Sequence, residues 1–296
     1  MTCTWTNRPF YSEYVNTQLR GDQNALGRMY HPTRDGVTVK GGAIFVSIVD
    51  IENMSTHAPA CGSFLTEDGN CNTSKELTMG QRQIGKCFLP CEWKDLDADS
   101  AGMQRFIAAQ ASTLAGYFMD LIYVDMIANG TASPLPMGTV PTGATTAAAI
   151  LSCLSQIWAR NLDGAITIVL RAADFALFVT AVGAAFQPFS TLVDPFAPNG
   201  AFRGWYMGAA VFVTPSALVT ADATPIVVGG VVFHEMGYAF APDSSTVPGD
   251  GGLGAILGFV PSDANPQGVV VNEYLGGCFG YGLLDDEMVY YLDYSA

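Results

Sequence analysis

The sequence predicts an α+β fold, and two observations carry that prediction. Short apolar segments of strand length occur before residue 90 and again after residue 165. Between them, apolar residues recur every three to four positions from about residue 97 to residue 129, which indicates one long helix. Strands, a long helix and then further strands are expected to build sheets with helices packed on them.

The first hundred residues predict an arm and a long hairpin. Residues 1–36 show no sustained period and are interpreted as an extended N-terminal arm. Strand-like pieces follow at 37–39, 43–50 and 83–89, and the polar residues 53–79 separate the last two. A strand, a polar tip and a returning strand predict an extended β-hairpin that must lie on another surface.

The long helix has recognisable ends. N-cap candidates lie at residues 97–100, and Asn129-Gly130 is a natural stop. About 29 residues at 1.5 Å each give a rod of about 43 Å. Residues 116–128 are apolar on nearly every side, so the helix is expected to be a spine that is covered from several directions.

The rest of the chain alternates between helix and strand, which predicts an α/β unit followed by a final pair of strands. The predicted elements are a linker at 130–146, helices at 147–160 and 172–186, strands at 165–170, 206–213 and 226–233, a loop at 242–268, and strands at 269–274 and 288–291 joined by a glycine-rich turn.

The charge of the chain argues against one class of partner. The 296 residues include 13 Lys and Arg against 27 Asp and Glu, which gives a formal net charge of −14. No Lys or Arg follows Arg203, whereas ten acids lie from Asp222 to Asp293. A protein that reads nucleic acid through its phosphates needs a basic face, so sequence-specific DNA or RNA recognition is not expected.

The hydropathy of the chain predicts association between subunits. Hydrophobic residues make up 49% of the chain, and charged residues make up 14%, against roughly 25% in ordinary soluble domains. The opening residues lack a signal-peptide core, and no unbroken run of about 20 apolar residues occurs. We therefore expect no membrane span, and an obligate oligomer that buries apolar surface against other copies.

The segment His234-Glu235-Met236-Gly237-Tyr238 partly matches the helix motif of zinc proteases. That motif needs a second histidine four residues after the first, with the Glu between them as a base. Tyr238 occupies the second position, and the apolar residues before His234 favour a strand. We interpret His234 as a strand-end residue, and a zinc-dependent hydrolase around His234-Glu235 is the remote alternative.

Two further patterns are interpreted as surface features. Residues 249–254 fit the glycine pattern of dinucleotide-binding loops, but no strand precedes them and Pro261 cuts short any following helix. The adjacent acids Asp285-Asp286-Glu287 are typical of a solvated turn. Since no nucleophile elbow or phosphate-binding loop occurs either, we predict no catalytic, cofactor-binding or metal-binding residues, and no enzyme.

Four of the seven cysteines lie within 31 residues of the predicted hairpin: Cys61, Cys71, Cys87 and Cys91. Three residues separate Cys87 from Cys91, as in a zinc knuckle, but nine separate Cys61 from Cys71. Free thiols, a disulfide across the hairpin and a metal site all stay open. Free thiols come first because a chain without an export signal is expected in a reducing compartment.

Several short segments, in the order described, carry a resemblance to a known family. They are 77–81 (LTMGQ), 92–97 (EWKDLD), 166–178, 204–212 with 217–220, 273–277 (EYLGG) and 280–285 (GYGLLD). Their order resembles that of the major capsid protein of tailed bacteriophages, whose fold is also used by encapsulin shells. The resemblance covers most of residues 35–296.

The resemblance implies a division into four parts. Residues 1–36 would be the N-terminal arm, and residues 37–95 the extended loop. Residues 96–145 and 266–296 would form the peripheral domain with the spine helix, and residues 146–265 the α/β axial domain.

The resemblance also implies a structural role. The chain would be a major capsid subunit that self-assembles into pentamers and hexamers of an icosahedral shell enclosing phage double-stranded DNA, without sequence-specific binding. Scaffolding, portal and decoration proteins would be further partners. Assembly would take place in the bacterial host cytoplasm, and the final location would be the virion. An encapsulin-type nanocompartment shell is the alternative.

Overall fold

A computed structural model describes the chain at residues 6–7, 25–30, 44–49, 72–88, 101–160, 162–188, 202–214, 228–242, 254–259 and 271–294. The strands in these ranges are β1 (Thr6–Asn7), β2 (Ile44–Val49), β3 (Asn72–Phe88), β4 (Thr131–Ala132), β5 (Ile166–Arg171), β6 (Phe186–Pro188), β7 (Phe202–Tyr206), β8 (Ala209–Thr214), β9 (Val228–His234), β10 (Tyr238–Pro242), β11 (Gly254–Phe259), β12 (Val271–Leu283) and β13 (Val289–Asp293). The α-helices are α1 (Ala101–Asn129), α2 (Gly143–Ala159) and α3 (Ala172–Val182).

A six-stranded sheet is built on the two long strands β3 and β12. Its order is β1-β11-β12-β3-β2, and β10 also pairs with β12. The β3–β12 pairing is antiparallel and runs from Val271 opposite Phe88 to Tyr281 opposite Thr78. The same β3 then pairs with β2, from Leu77 opposite Ile44 to Asn72 opposite Val49.

Two predictions about this sheet are wrong for the same physical reason. The returning strand was expected at 83–89, but β3 begins at Asn72. The glycine-rich turn expected after residue 274 is part of β12, which continues to Leu283. Polar residues and glycines have low strand propensity, but a strand paired along its length is held by backbone hydrogen bonds and neighbouring side chains, which override propensity.

The loop predicted at 242–268 also contains a strand. β11 pairs antiparallel with β12, with Gly254 opposite Gly276 and Phe259 opposite Val271. Gly254 is the one residue of the 249–254 glycine pattern that the structure describes, and it begins this strand. The pattern therefore leads into a strand and lacks the helix that a dinucleotide site requires.

A seven-stranded sheet has the order β4-β13-β9-β5-β8-β7-β6, and its central strands β9, β5 and β8 are buried on both faces. Ile168 and Leu170 of β5 join a core with α2 and α3, whereas Val169 between them joins a core with α1. In β8, Val211 likewise joins the core with α2 and α3, and Phe212 joins the core with α1. Because neighbouring strand residues point to opposite faces, this alternation produces three layers: α1, the sheet, and the α2–α3 pair.

Helix α1 confirms the predicted spine helix. It runs from Ala101 to Asn129, 29 residues, and ends at the predicted Asn-Gly stop. In its second half, Phe118 packs its ring 4.2 Å from that of Phe279 and 6.1 Å from that of Phe240, both in the six-stranded sheet. The same core includes residues of the seven-stranded sheet, so α1 joins the two sheets.

Helix α2 begins four residues before its predicted start at residue 147, because a threonine pair caps it. The Oγ1 of Thr142 accepts a hydrogen bond from the Thr145 backbone N–H at 3.2 Å. The Thr142 backbone N–H in turn donates to the Oγ1 of Thr145 at 2.9 Å. This reciprocal capping box satisfies two backbone donors and starts the helix inside the predicted linker.

Two other predicted elements are divided by turns. The helix predicted to reach residue 186 ends at Val182, because Gly183 has a φ of 51° and Phe186 begins β6. The strand predicted at 206–213 is a hairpin of β7 and β8. Its turn residues Met207 and Gly208 have φ values of 49° and 84°, as in tight hairpin turns.

Part of the predicted arm is built into the core. Residues Ala25–Arg28 form a 3₁₀ turn, and Leu26 is fully buried in the core that contains α1. The backbone N–H of Tyr30 donates to the carbonyl oxygens of Glu235 and Tyr238, and its carbonyl accepts from Phe240. These residues therefore add to the folded body, while most of residues 1–36 lie outside the described ranges.

Strand pairing crosses the predicted domain boundaries. β10 and β11 come from the predicted axial domain, residues 146–265, but pair with β12 of the predicted peripheral domain. Conversely, β4 and β13 come from the predicted peripheral domain, residues 96–145 and 266–296, but pair within the seven-stranded sheet. The four-part division stays a prediction. Within the described residues, no helix is both long enough and apolar enough to span a membrane.

Candidate functional site

His234 ends strand β9, as the sequence predicted, and is 1% exposed. Its Nδ1 accepts a hydrogen bond from the Met236 backbone N–H at 3.2 Å, so in the neutral ring the proton sits on Nε2. Nε2 has no hydrogen-bond partner in the described part of the chain. Gly164 packs on this ring: a Cβ there would come within 2.6 Å of the His234 Cε1 atom.

The surroundings of His234 disfavour its charged form. Burial lowers the pKa of His234, and the nearby carboxylates of Glu235 and Asp285 offset this only in part. The fold therefore favours a neutral histidine whose ring packs against backbone. That is the environment of a structural residue.

The features of a zinc protease helix are absent here. Glu235 lies in a 3₁₀ turn, and its Oε2 accepts a hydrogen bond from the Ala165 backbone N–H at 3.1 Å. Tyr238, at the second ligand position, begins β10 and is fully buried. Among the residues that the structure describes, no group of three or more His, Cys, Asp or Glu side chains is placed to bind a metal.

Two of the three acids at 285–287, Asp285 and Glu287, make contacts that stabilise the fold. Asp285 Oδ1 accepts the Glu287 backbone N–H at 3.0 Å and caps a 3₁₀ turn. Arg160, at the C-terminal end of α2, bridges to Asp285 at 3.2 Å and to Glu287 at 2.5 Å. The Arg160 side chain thus joins the helical layer to the turn before β13.

A second polar cluster lies at the other end of β13. Arg171 Nε donates to Asp174 Oδ2 at 2.7 Å, and the Tyr294 hydroxyl donates to Asp174 Oδ1 at 2.6 Å. Arg171 also donates to the Tyr294 hydroxyl, and its guanidinium lies 4.7 Å from the centre of the Tyr294 ring. Burial raises the pKa of Asp174, although its hydrogen bond and charge interaction with Arg171 act against that rise.

A third cluster links α1 to the six-stranded sheet. The Tyr238 hydroxyl donates to Asp125 Oδ2 at 2.7 Å, and Asn129 Nδ2 donates to Asp125 Oδ1 at 2.9 Å. Burial, followed by the Asp125 carboxylate, raises the pKa of Tyr238 well above its ordinary value. This hydrogen bond from a neutral tyrosine to a carboxylate holds β10 against α1, and we assign Tyr238 no catalytic role.

The predicted cysteine cluster is only partly described. Cys61, Cys71 and Cys91 lie outside the described residues, and Cys87 stands in β3 opposite Asn272. Whether these four cysteines are free thiols, form a disulfide or bind a metal therefore stays a prediction. Cys153, in α2, is a buried free cysteine, and burial raises the pKa of its thiol to about 12. A thiol with that pKa is almost wholly protonated and unreactive at neutral pH.

The sequence reasoning passed over Asp174 and Tyr294. One signal was available: Arg171 and Asp174 are three residues apart at the predicted start of a helix, where an acid is favourable. The partnership with Tyr294, 120 residues away, left no local trace. Together, the three polar clusters fix elements to one another.

Solved capsid structures share this architecture. The capsid structure of cyanophage P-SCSP1u has a TM-score of 0.55 and 14% identity over 88% of this chain and 85% of that chain. A structure from Mycobacterium phage Che8 has a TM-score of 0.51 and 14% identity over 98% and 92%. The chain has the tailed-phage capsid fold.

The chain is also similar in structure to a particle that is not named for a phage. The virus-like particle from Pyrococcus furiosus has a TM-score of 0.51 and 11% identity over 96% of this chain and 98% of that chain. No protein-family model and no curated protein sequence matches the chain. The TM-scores of 0.51–0.55 over 88–98% of this chain establish the capsid fold and confirm the predicted fold class, although the identities are only 11–14%.

Proposed function

We propose that this chain is the major capsid subunit of a tailed phage. The observation that carries the proposal is the match to the P-SCSP1u capsid, which extends over 88% of this chain and 85% of that one. A match that leaves out so little of either chain concerns the whole subunit rather than one shared domain. The subunits would assemble into pentamers and hexamers that close into an icosahedral shell around double-stranded DNA.

The physical properties of the chain support a shell role. Charged residues make up only 14% of it, which suits a subunit with large lateral interfaces. Its net charge of −14 would keep the shell from clamping the genome, because like charges repel. The polar clusters described above use their acidic and tyrosine side chains to hold elements together, which supports a structural protein rather than an enzyme.

The remaining details of the proposal follow the predicted domain plan. Copies of the chain would be the main partners, with scaffolding and portal proteins, and decoration proteins where present. Assembly would occur in the bacterial host cytoplasm and the product would be the virion. Residues 37–95 would form the extended loop, and its four cysteines would be free thiols or a disulfide.

The direct test is the size of the particle that the expressed chain forms. Sedimentation followed by negative-stain electron microscopy should show closed shells, or rings of five and six subunits, in reducing and in oxidising buffer. Mass photometry would give the number of copies in each ring. A strictly monomeric protein at high concentration, with and without co-expressed neighbouring genes, would contradict the proposal.

An encapsulin-type nanocompartment is a second candidate, favoured by the coverage of 96% and 98% with the Pyrococcus furiosus virus-like particle. Both candidates form shells, so shell formation does not separate them. The contents do. Particles isolated from the native source should hold nuclease-protected double-stranded DNA if they are phage capsids. A folded cargo protein and no genome-length DNA would favour the nanocompartment.

A further inference from the structure

The outer helical layer of the seven-stranded sheet has almost no charge. Residues 126–159 contain no Asp, Glu, Lys or Arg. Asp174 is the only charged residue of α3, and it is buried. We use the name helical face for the exposed side of α2 and α3 together with Val140, which lies just before α2.

Large apolar side chains are exposed on the helical face. Val140 is 81% exposed, Leu151 41%, Trp158 44% and Leu177 37%. Leu151 and Trp158 are seven residues apart, about two turns, and therefore lie on the same side of α2. The other exposed positions are small or uncharged, as at Ala144, Ala148, Ser155, Ala176 and Thr180.

This composition is unusual for a helix that faces water. An amphipathic surface helix normally places charged and polar residues opposite its buried stripe. The cores of protein interfaces instead are depleted of charge and enriched in aromatic residues, and tryptophan is prominent among the residues that dominate binding energy. The helical face has the composition of an interface.

The two helices form one continuous surface. A Cβ on Gly143 would come 2.4 Å from the Leu177 carbonyl oxygen and 2.8 Å from the Ala181 Cβ, so α2 and α3 are in direct contact there. With α2 about 25 Å long and helices spaced about 10 Å apart, the face covers on the order of 500 Å². That is the same order as the roughly 800 Å² that each partner contributes to a standard interface.

Electrostatics indicate what covers this face. Each copy of the chain carries a net charge of −14, so two copies repel wherever their acidic surfaces meet. An uncharged face avoids that repulsion and has no ionised group that would need to lose its water. DNA is a poor occupant, because the face offers no cation to its phosphates.

We propose that the helical face is the contact by which one copy of this chain binds a neighbouring copy during assembly. The inference rests on the proposed shell function and names the surface through which the subunits meet. Trp158 and Leu151 are its anchors. Burying them against a neighbour removes apolar surface from water at a place where no charge opposes contact.

The test adds one carboxylate to the helical face and one elsewhere. Leu151→Glu and Trp158→Glu place a charge at the anchors, whereas Ala128→Glu places the same charge at an exposed position of α1. Circular dichroism and thermal unfolding of unassembled protein show whether each variant folds. Sedimentation then measures the assembled fraction. We expect both face variants to lose assembly while Ala128→Glu assembles like the unaltered chain.

The outcomes separate the two levels of the proposal. If the unaltered chain forms neither shells nor rings, the shell function fails. If it assembles and folded Leu151→Glu and Trp158→Glu assemble equally well, the helical face is overturned and the shell function stands. Loss of assembly in Ala128→Glu as well would also overturn the inference, because the effect would then not be specific to this face.

A second measurement needs no variant and covers the case in which the substitutions prevent folding. Hydroxyl-radical footprinting compares oxidation of exposed side chains in assembled and unassembled protein. We expect oxidation of Trp158 to fall several-fold on assembly. Unchanged oxidation of Trp158 in assembled particles would overturn the inference.

Discussion

The two ends of β13 are held by ion pairs of the same chemical type in different surroundings. Before the strand, Arg160 pairs with Asp285 and Glu287, whose side chains are 23% and 63% exposed. After it, Arg171 pairs with Asp174, whose side chain is 1% exposed; the two arginines are similar, at 19% and 22%, so the carboxylates make the difference. Exposed pairs contribute little net stability, whereas breaking a buried pair leaves a charge without solvation.

The buried end also joins more of the fold. Arg171 ends β5, Asp174 lies in the first turn of α3, and Tyr294 follows β13. Arg160 connects the end of α2 to the turn before the strand. Of the two polar clusters, the one after β13 should therefore contribute more to holding the strand in place. We therefore expect burial and the number of partners, rather than the number of ion pairs, to decide how much each cluster contributes to the free energy of unfolding.

The largest expected effect follows removal of the buried carboxylate. Asp174→Ala should lower the free energy of unfolding by about 3 kcal/mol, since it removes the buried carboxylate that Arg171 and the Tyr294 hydroxyl share as acceptor and leaves the Arg171 charge, 22% exposed, without its partner. Urea unfolding at pH 7, followed by circular dichroism, measures the change. Unassembled protein is required, because association with other copies adds stability.

Asp174→Asn is the matched control for this prediction. It keeps the shape of the side chain and an oxygen that accepts hydrogen bonds, so it should lose clearly less stability than Asp174→Ala. If both substitutions cost less than about 1 kcal/mol, the buried end would be no stronger than an exposed pair and the comparison would fail.

An intermediate effect is expected from pH, and its sign differs between the ends. His234 lies at the end before β13, and burial lowers its pKa below 6.5. The unfolded chain therefore binds more protons as pH falls below 6.5, so this residue removes stability on acidification. Burial raises the pKa of Asp174 above 3.8, so this residue removes stability as pH rises from 3.8 through its raised pKa.

Urea unfolding of the unaltered chain and of His234→Gln at pH 7 and pH 5.5 tests the histidine. The unaltered chain should lose more stability on acidification than the variant, because glutamine does not titrate. Asp174→Asn at both pH values serves as a control that keeps His234. Equal losses in the unaltered chain and His234→Gln would show that His234 does not carry the pH dependence.

Elements with a repeated apolar pattern and clear end signals were predictable from the sequence. Helix α1 is the best case, because its apolar positions recur at helical spacing and Asn129-Gly130 ends it. The position of His234 at the end of a strand was also predictable, since an apolar run precedes it. In both cases the information lies in neighbouring residues.

Features that depend on distant parts of the chain were not predictable. Residues 276–282 contain four glycines and resemble a turn, yet they form part of β12 because β3 and β10 supply partners along its edges. Likewise, nothing near Tyr294 in the sequence indicates Asp174, 120 residues earlier. Pairing of this kind is decided by the fold as a whole.

The smallest expected effect concerns the exposed end. Arg160→Ala and Asp285→Ala, each alone and combined, form a double-mutant cycle for the 3.2 Å ion pair. The coupling free energy should stay below about 1 kcal/mol and fall further in 1 M NaCl, because water and salt screen partly exposed charges. A cycle of Arg171→Ala with Asp174→Ala should give a larger coupling that salt changes less. Equal couplings in the two cycles would mean that burial does not distinguish the two ends of β13.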